Sequence, residues 1–91
     1  MWKLIFIDAA RFDLGKIDAS NLLRVNERLA WLVENFDSIL PVPLAGEWRG
    51  YFKFRIGDLR VIYNIDWKEK GIVVYAIGKR EMIYKNAFRR E

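Results

Sequence analysis

The chain has 91 residues, 16 Lys+Arg against 12 Asp+Glu and a net charge of +4, a length that points to one domain spanning residues 1–91. It contains neither Cys nor His, which excludes a disulfide framework, a thiolate nucleophile, a Ser-His triad and imidazole acid–base chemistry, and leaves no ordinary zinc ligand set. No apolar run approaches the ~18 residues of a membrane span, and Asp8 interrupts the N-terminal segment too early for a signal peptide, so a soluble cytoplasmic protein without a membrane partner is expected.

Residues 2–7, WKLIFI, predict a strand, because Trp2, Leu4 and Phe6 alternate with Lys3 in a β-branched and aromatic run. A short helical stretch over Asp8–Leu14 follows, punctuated by Gly15. Asp18 or Ser20 then offers a cap for a second helix reaching about Phe36. Inside it Leu22, Val25, Leu29, Leu32 and Phe36 recur at alternating steps of 3 and 4, one apolar stripe suited to covering a sheet. Pro41 and Pro43 end the helix, and LAGEWRG continues as a loop inside the same domain.

From Tyr51 onward the period becomes two, and three strands are predicted: Tyr51–Ile56, Leu59–Ile65 and Ile72–Gly78. Gly57-Asp58 joins the first pair as a two-residue turn of type I′ or II′. The fold class is therefore α+β: an N-terminal strand, two helices, then an antiparallel meander forming a curved sheet with the helices on one face.

A two-residue turn fixes register, which sets Arg55 opposite Arg60 and Lys53 opposite Ile62. One face of the hairpin carries Phe52, Phe54, Ile56, Leu59, Val61, Tyr63 and Ile65, a core face. The other carries Tyr51, Lys53, Arg55, Arg60, Ile62 and Asn64. Like charges directly opposed destabilise a strand pair by up to roughly 1 kcal/mol, and no carboxylate stands among those six residues to relieve them. The charge distribution along the chain agrees: residues 1–47 net −2, residues 48–91 net +6. Such a face calls for an anion.

A cationic face without His or Cys suits RNA phosphodiester cleavage, in which the 2′-hydroxyl supplies the nucleophile. Arginine binds phosphate in bidentate fashion but holds its proton. A lysine among other cations gives up a proton more readily, which makes Lys53 the stronger candidate for proton transfer.

The chain also carries Leu44-Ala45-Gly46, then Gly50-Tyr51-Phe52-Lys53-Phe54-Arg55, then Ile56-Gly57-Asp58-Leu59-Arg60-Val61-Ile62-Tyr63, and finally Ala76-Ile77-Gly78-Lys79-Arg80 followed by Tyr84. In these elements and their order it resembles the RelE/ParE superfamily of type II toxins. The resemblance implies a RelE-like, microbial-ribonuclease-like fold and a ribosome-dependent endoribonuclease that cuts mRNA by 2′-hydroxyl attack, so inhibiting translation without metal or other cofactor. It implies Lys53, Arg55, Arg60, Arg80 and Tyr84 as catalytic residues, with Tyr51, Lys79, Lys85 and Arg89 as RNA contacts. The implied partners are mRNA on the ribosome and a cognate antitoxin. Many members have His where Lys79 stands, so this chain would use Lys, Arg and Tyr. ParE-type relatives, which inhibit DNA gyrase, imply an alternative activity, and a catalytically inactive binding protein of the same fold is a third. Trp31, Trp48 and Trp67 are read as packing or loop-edge aromatics.

Overall fold

Alternation in the sequence becomes strand and the 3–4 stripe becomes helix. The computed structural model describes residues 1–86. Along the chain run β1 (Lys3–Phe6), α1 (Asp8–Gly15), α2 (Ala19–Asn35), β2 (Val42–Pro43), β3 (Phe52–Ile56), β4 (Leu59–Asp66), β5 (Gly71–Lys79) and α3 (Arg80–Asn86). The strands form one sheet in the order β1-β5-β4-β3-β2. β1 pairs parallel to β5, and the other neighbours are antiparallel. The α+β class and the meander stand as expected.

Asp18 is the N-cap residue of α2. Its carboxylate accepts hydrogen bonds from the Asn21 amide at 2.7 Å and the Ser20 hydroxyl at 2.9 Å. Those bonds, Asn21 first, hold its pKa below the ordinary carboxylate value. Beyond the cap the stripe does what its spacing demands: Val25, Leu29, Leu32 and Phe36 are buried against Ile56, Val61, Tyr63, Ile72 and Val74 of the sheet. Burying a side chain of this size stabilises by roughly 1.5–3 kcal/mol. Trp2 closes one end of this core, its ring 4.6 Å from Phe36 and its indole N–H donating to Asp37 Oδ1 at 2.7 Å.

Two elements were not legible in the sequence. Val42–Pro43, inside the stretch read as a connector, adds a two-residue strand to the edge of β3, where a proline without an N–H is tolerated. The segment after β5 is the helix α3, and it packs on the sheet face opposite α2: Ile83 joins Ile62, Tyr75 and Ala76 in a second apolar cluster.

That second cluster depends on an irregularity in β5. Ile62 pairs with Ala76 and Tyr63 with Val74, so the register shifts by one residue at Tyr75. The extra residue interrupts the alternation. Val74 and Ile77 therefore face the α2 side, while Tyr75 and Ala76 both serve the α3 side.

Candidate functional site

The hairpin register is the one the turn dictates: Phe52 opposite Tyr63, Lys53 opposite Ile62, Arg55 opposite Arg60 and Ile56 opposite Leu59. Gly57 has φ +57°, and Lys70 is the one non-glycine with positive φ among the described residues. Asp58 is thus not left-handed, and the turn has the type II′ pattern rather than I′.

Lys53 and Arg55 are exposed, but Arg60 is only 9% exposed. The Arg60 guanidinium donates through one nitrogen to the carbonyl oxygens of Gly57 and Leu59, both at 3.0 Å. Its charge is thereby held at the hairpin end, with donors remaining for a ligand. The Arg80 backbone N–H donates to the Asp58 carbonyl at 3.2 Å, which ties the start of α3 to the same turn. Arg80 and Tyr84 stand four residues apart on this helix and so share a face.

The result is an open depression of about 510 Å³ lined by Lys53, Arg55, Arg60, Arg80 and Tyr84. Two strands and a helix contribute to it, and four of its five side chains are cationic. None of the four is ion-paired with a described residue; the salt bridge recorded among those residues is Lys3–Glu69, at 3.9 Å. Guanidinium and ammonium groups gathered without a carboxylate form a receptor for a phosphate group.

Beside the depression lies an aromatic cluster. The Trp48 ring is 5.5 Å from Tyr51, 5.7 Å from Tyr75 and 6.2 Å from Tyr84, and Tyr51 is 5.0 Å from Tyr75. Trp48 and Tyr75 carried no signal in the sequence, since one stands in a loop and the other reaches this face only through the bulge. Of the further candidate RNA contacts, Tyr51 is in this cluster and Lys85 is exposed on α3. Lys79 lines a different cavity, of about 290 Å³, with Asp13, Lys16, Asp18, Asn21 and Met82. Arg89 lies outside the described residues.

Trp31 stacks on Phe54 at 6.3 Å, with the Arg28 guanidinium 4.5 Å from the Trp31 ring centroid, and the Trp67 ring lies 5.6 Å from Trp2. Both are edge aromatics, and neither lines the cationic depression. Among the described residues no helix is long and apolar enough to cross a membrane.

The family model of the ParE toxin of type II toxin–antitoxin systems, parDE, matches residues 4–84. The toxin–antitoxin complex RelBE2 from Mycobacterium tuberculosis contains a chain with TM-score 0.77 and 29% identity, the match covering 87% of this chain and 91% of that one. The isolated E. coli RelE toxin gives TM-score 0.72 at 18% identity, over 87% of this chain and 84% of that one. The archaeal RelE–RelB complex from Pyrococcus horikoshii OT3 gives 0.68 at 20%, over 89% and 97%. The last two likenesses concern the fold. Pairwise sequence comparison with curated proteins finds no significant match.

Proposed function

Because the chain belongs to the ParE toxin family, within the RelE/ParE superfamily of type II toxins, we propose that it is the toxin of a type II toxin–antitoxin system and acts in the cytoplasm as a ribosome-dependent, metal-independent endoribonuclease. The observation that carries this reading is the single depression lined by Lys53, Arg55, Arg60, Arg80 and Tyr84. Family resemblance nominates all five, and the hairpin register independently places three of them, Lys53, Arg55 and Arg60, on one face.

In this mechanism the scissile phosphate enters the depression, and the 2′-oxygen of the preceding ribose attacks phosphorus. The bond to the 5′-oxygen breaks, leaving a 2′,3′-cyclic phosphate and a 5′-hydroxyl. One proton leaves the 2′-hydroxyl and one is delivered to the 5′-oxygen. Arg55, Arg60 and Arg80 stabilise the extra negative charge of the pentavalent intermediate, a task for fixed cations that need not exchange protons. Lys53 and Tyr84 are the two groups able to handle protons, and their order of action is left open. Tyr51 and Lys85 would contact the RNA, as would Lys79 from the neighbouring cavity and Arg89, which lies outside the described residues, and bases stack readily on tyrosine. An antitoxin is the expected partner, as in the complexes that match this chain.

The family model bears the ParE name, which favours one second reading, inhibition of DNA gyrase. Primer extension on mRNA after induction, run beside a gyrase supercoiling assay, separates the two. Discrete cuts that vanish in Arg80→Ala support the nuclease. Inhibited supercoiling with intact message supports the ParE-type activity. Neither effect from a folded protein would leave a binding module of the same fold.

A further inference from the structure

α3 has seven residues, Arg80–Asn86, too few to hold itself together by backbone hydrogen bonds. What places it decides whether Arg80 and Tyr84 reach the depression at all. One tether, the Arg80 amide on the Asp58 carbonyl, comes from the hairpin turn. The other comes from the opposite side of the molecule.

β1 accompanies β5 only as far as the Phe6–Val74 pair. Past that point no strand of the described residues lies beside the outer edge of β5. α1 lies there instead, and Asp13 Oδ2 accepts the Ile77 backbone N–H at 3.0 Å. Asp13 is a carboxylate only 8% exposed, and enclosing such a group is costly unless it is well hydrogen-bonded. Ile77 directly follows the bulged Tyr75–Ala76 pair, and three residues later α3 begins. The bond therefore fixes the outer edge of β5 three residues before α3, while the inner edge stays paired to β4 through Gly78 and Lys79.

α3 is also a partition. Lys79, Met82 and Ile83 face the 290 Å³ cavity that Asp13 lines, whereas Arg80 and Tyr84 face the cationic depression. Arg80 begins α3 directly after Lys79, and Tyr84 lies one turn further on.

We propose that Asp13 is a positioning residue for the site: by holding the Ile77 amide, its carboxylate sets where β5 ends and so where α3 presents Arg80 and Tyr84 to the substrate phosphate. The part concerning substrate rests on the nuclease reading; the placement of α3 does not. Asp13→Asn keeps an oxygen acceptor, Asp13→Leu keeps the volume without one, and Asp13→Glu keeps the charge but moves the oxygen by one methylene.

The test compares these variants in two assays, cleavage of message on programmed ribosomes and backbone amide exchange at Ile77 and residues 80–85. Asp13→Leu is expected to lose about tenfold in kcat with KM changed less than about twofold, and to lose protection at Ile77 and along α3. Asp13→Asn is expected within about threefold of wild type in kcat, with protection retained. Should Asp13→Leu not fold, Asp13→Glu carries the test, with kcat expected clearly below that of Asp13→Asn and protection at Ile77 and along α3 lost. Wild-type kcat in folded Asp13→Leu, or Asp13→Asn no better than Asp13→Leu, overturns the proposal. If the wild-type protein cuts no RNA, the nuclease reading has failed. The exchange assay still decides in that case: loss of α3 protection in Asp13→Leu but not in Asp13→Asn upholds the placement, and unchanged protection in both refutes it.

Discussion

Arg55 and Arg60 stand directly opposite one another across the β3–β4 hairpin, and Arg60 turns its guanidinium onto the turn carbonyls of Gly57 and Leu59. One arginine is thus part of the turn, while the other is exposed on the same face. The two should respond differently to removal.

Arg60→Ala strips a charged donor from two carbonyls at the hairpin end and is expected to lower stability by about 1–2 kcal/mol. Arg55→Ala relieves a like-charge contact and is expected to be neutral or stabilising by up to about 1 kcal/mol. Urea denaturation reads both. Each variant should also weaken binding of a labelled single-stranded RNA and reduce the slope of log affinity against log salt by about 1. An unchanged urea midpoint for Arg60→Ala would show that its carbonyl bonds do not hold the turn.

For cleavage, Arg80→Ala removes charge stabilisation and should cost about 10²-fold in kcat on ribosome-bound message. Lys53→Ala and Tyr84→Phe each remove a candidate proton carrier, and the one that carries a proton in the rate-limiting step should lose about 10²–10⁴-fold. Quantitative primer extension measures all three. Full activity in both Lys53→Ala and Tyr84→Phe would exclude this division of labour.

Lys70 sits at φ +52° in the turn between β4 and β5. A side chain there is strained, and glycine is not. Lys70→Gly is expected to gain about 0.5–1 kcal/mol, raising Tm by roughly 2–6 °C. Because Lys70 is remote from the residues lining the depression, cleavage should be unaffected. Differential scanning calorimetry gives the answer, and a lower Tm would refute the strain.

Tyr63, enclosed in the core with Phe36 and Phe52 around it, has its hydroxyl pushed up to about 12 by burial, from an ordinary 10.0. Its neutral form is the one the fold favours, so the unfolded chain releases this proton first. The contribution is fully present below pH 10 and is lost as pH rises from there through about 12, a loss on the order of 2–3 kcal/mol. Tyr63→Phe should flatten stability over that window, measured by urea unfolding at successive alkaline pH values. A parallel decline in both proteins would assign the alkaline loss to other groups.

Much of the site could be read before any coordinates because its central part is local. Gly57-Asp58 is a turn whose chemistry depends on two residues, and once it is accepted the placement of Lys53, Arg55 and Arg60 on one face follows from side-chain alternation alone. The α2 stripe is equally local, since 3.6 residues per turn carry Val25, Leu29 and Leu32 to one side wherever the helix lies. Arg60 shows where such reading stops: its face was legible, but its burial was not, because the turn carbonyls that engage it become available only when the hairpin closes.

The sequence by itself determined the first two helices, the four longer strands, the register of the hairpin and the cationic character of one of its faces, all consequences of interactions between near neighbours. The tertiary structure alone decided that β1 runs parallel to β5 and that β5 bulges at Tyr75. It also decided that α3 brings Arg80 and Tyr84 to residues twenty or more positions earlier in the chain, and that Asp13 meets an amide 64 residues away. No local propensity encodes those meetings. They are settled by which apolar faces must be covered and which buried polar groups must find partners once the whole chain has closed.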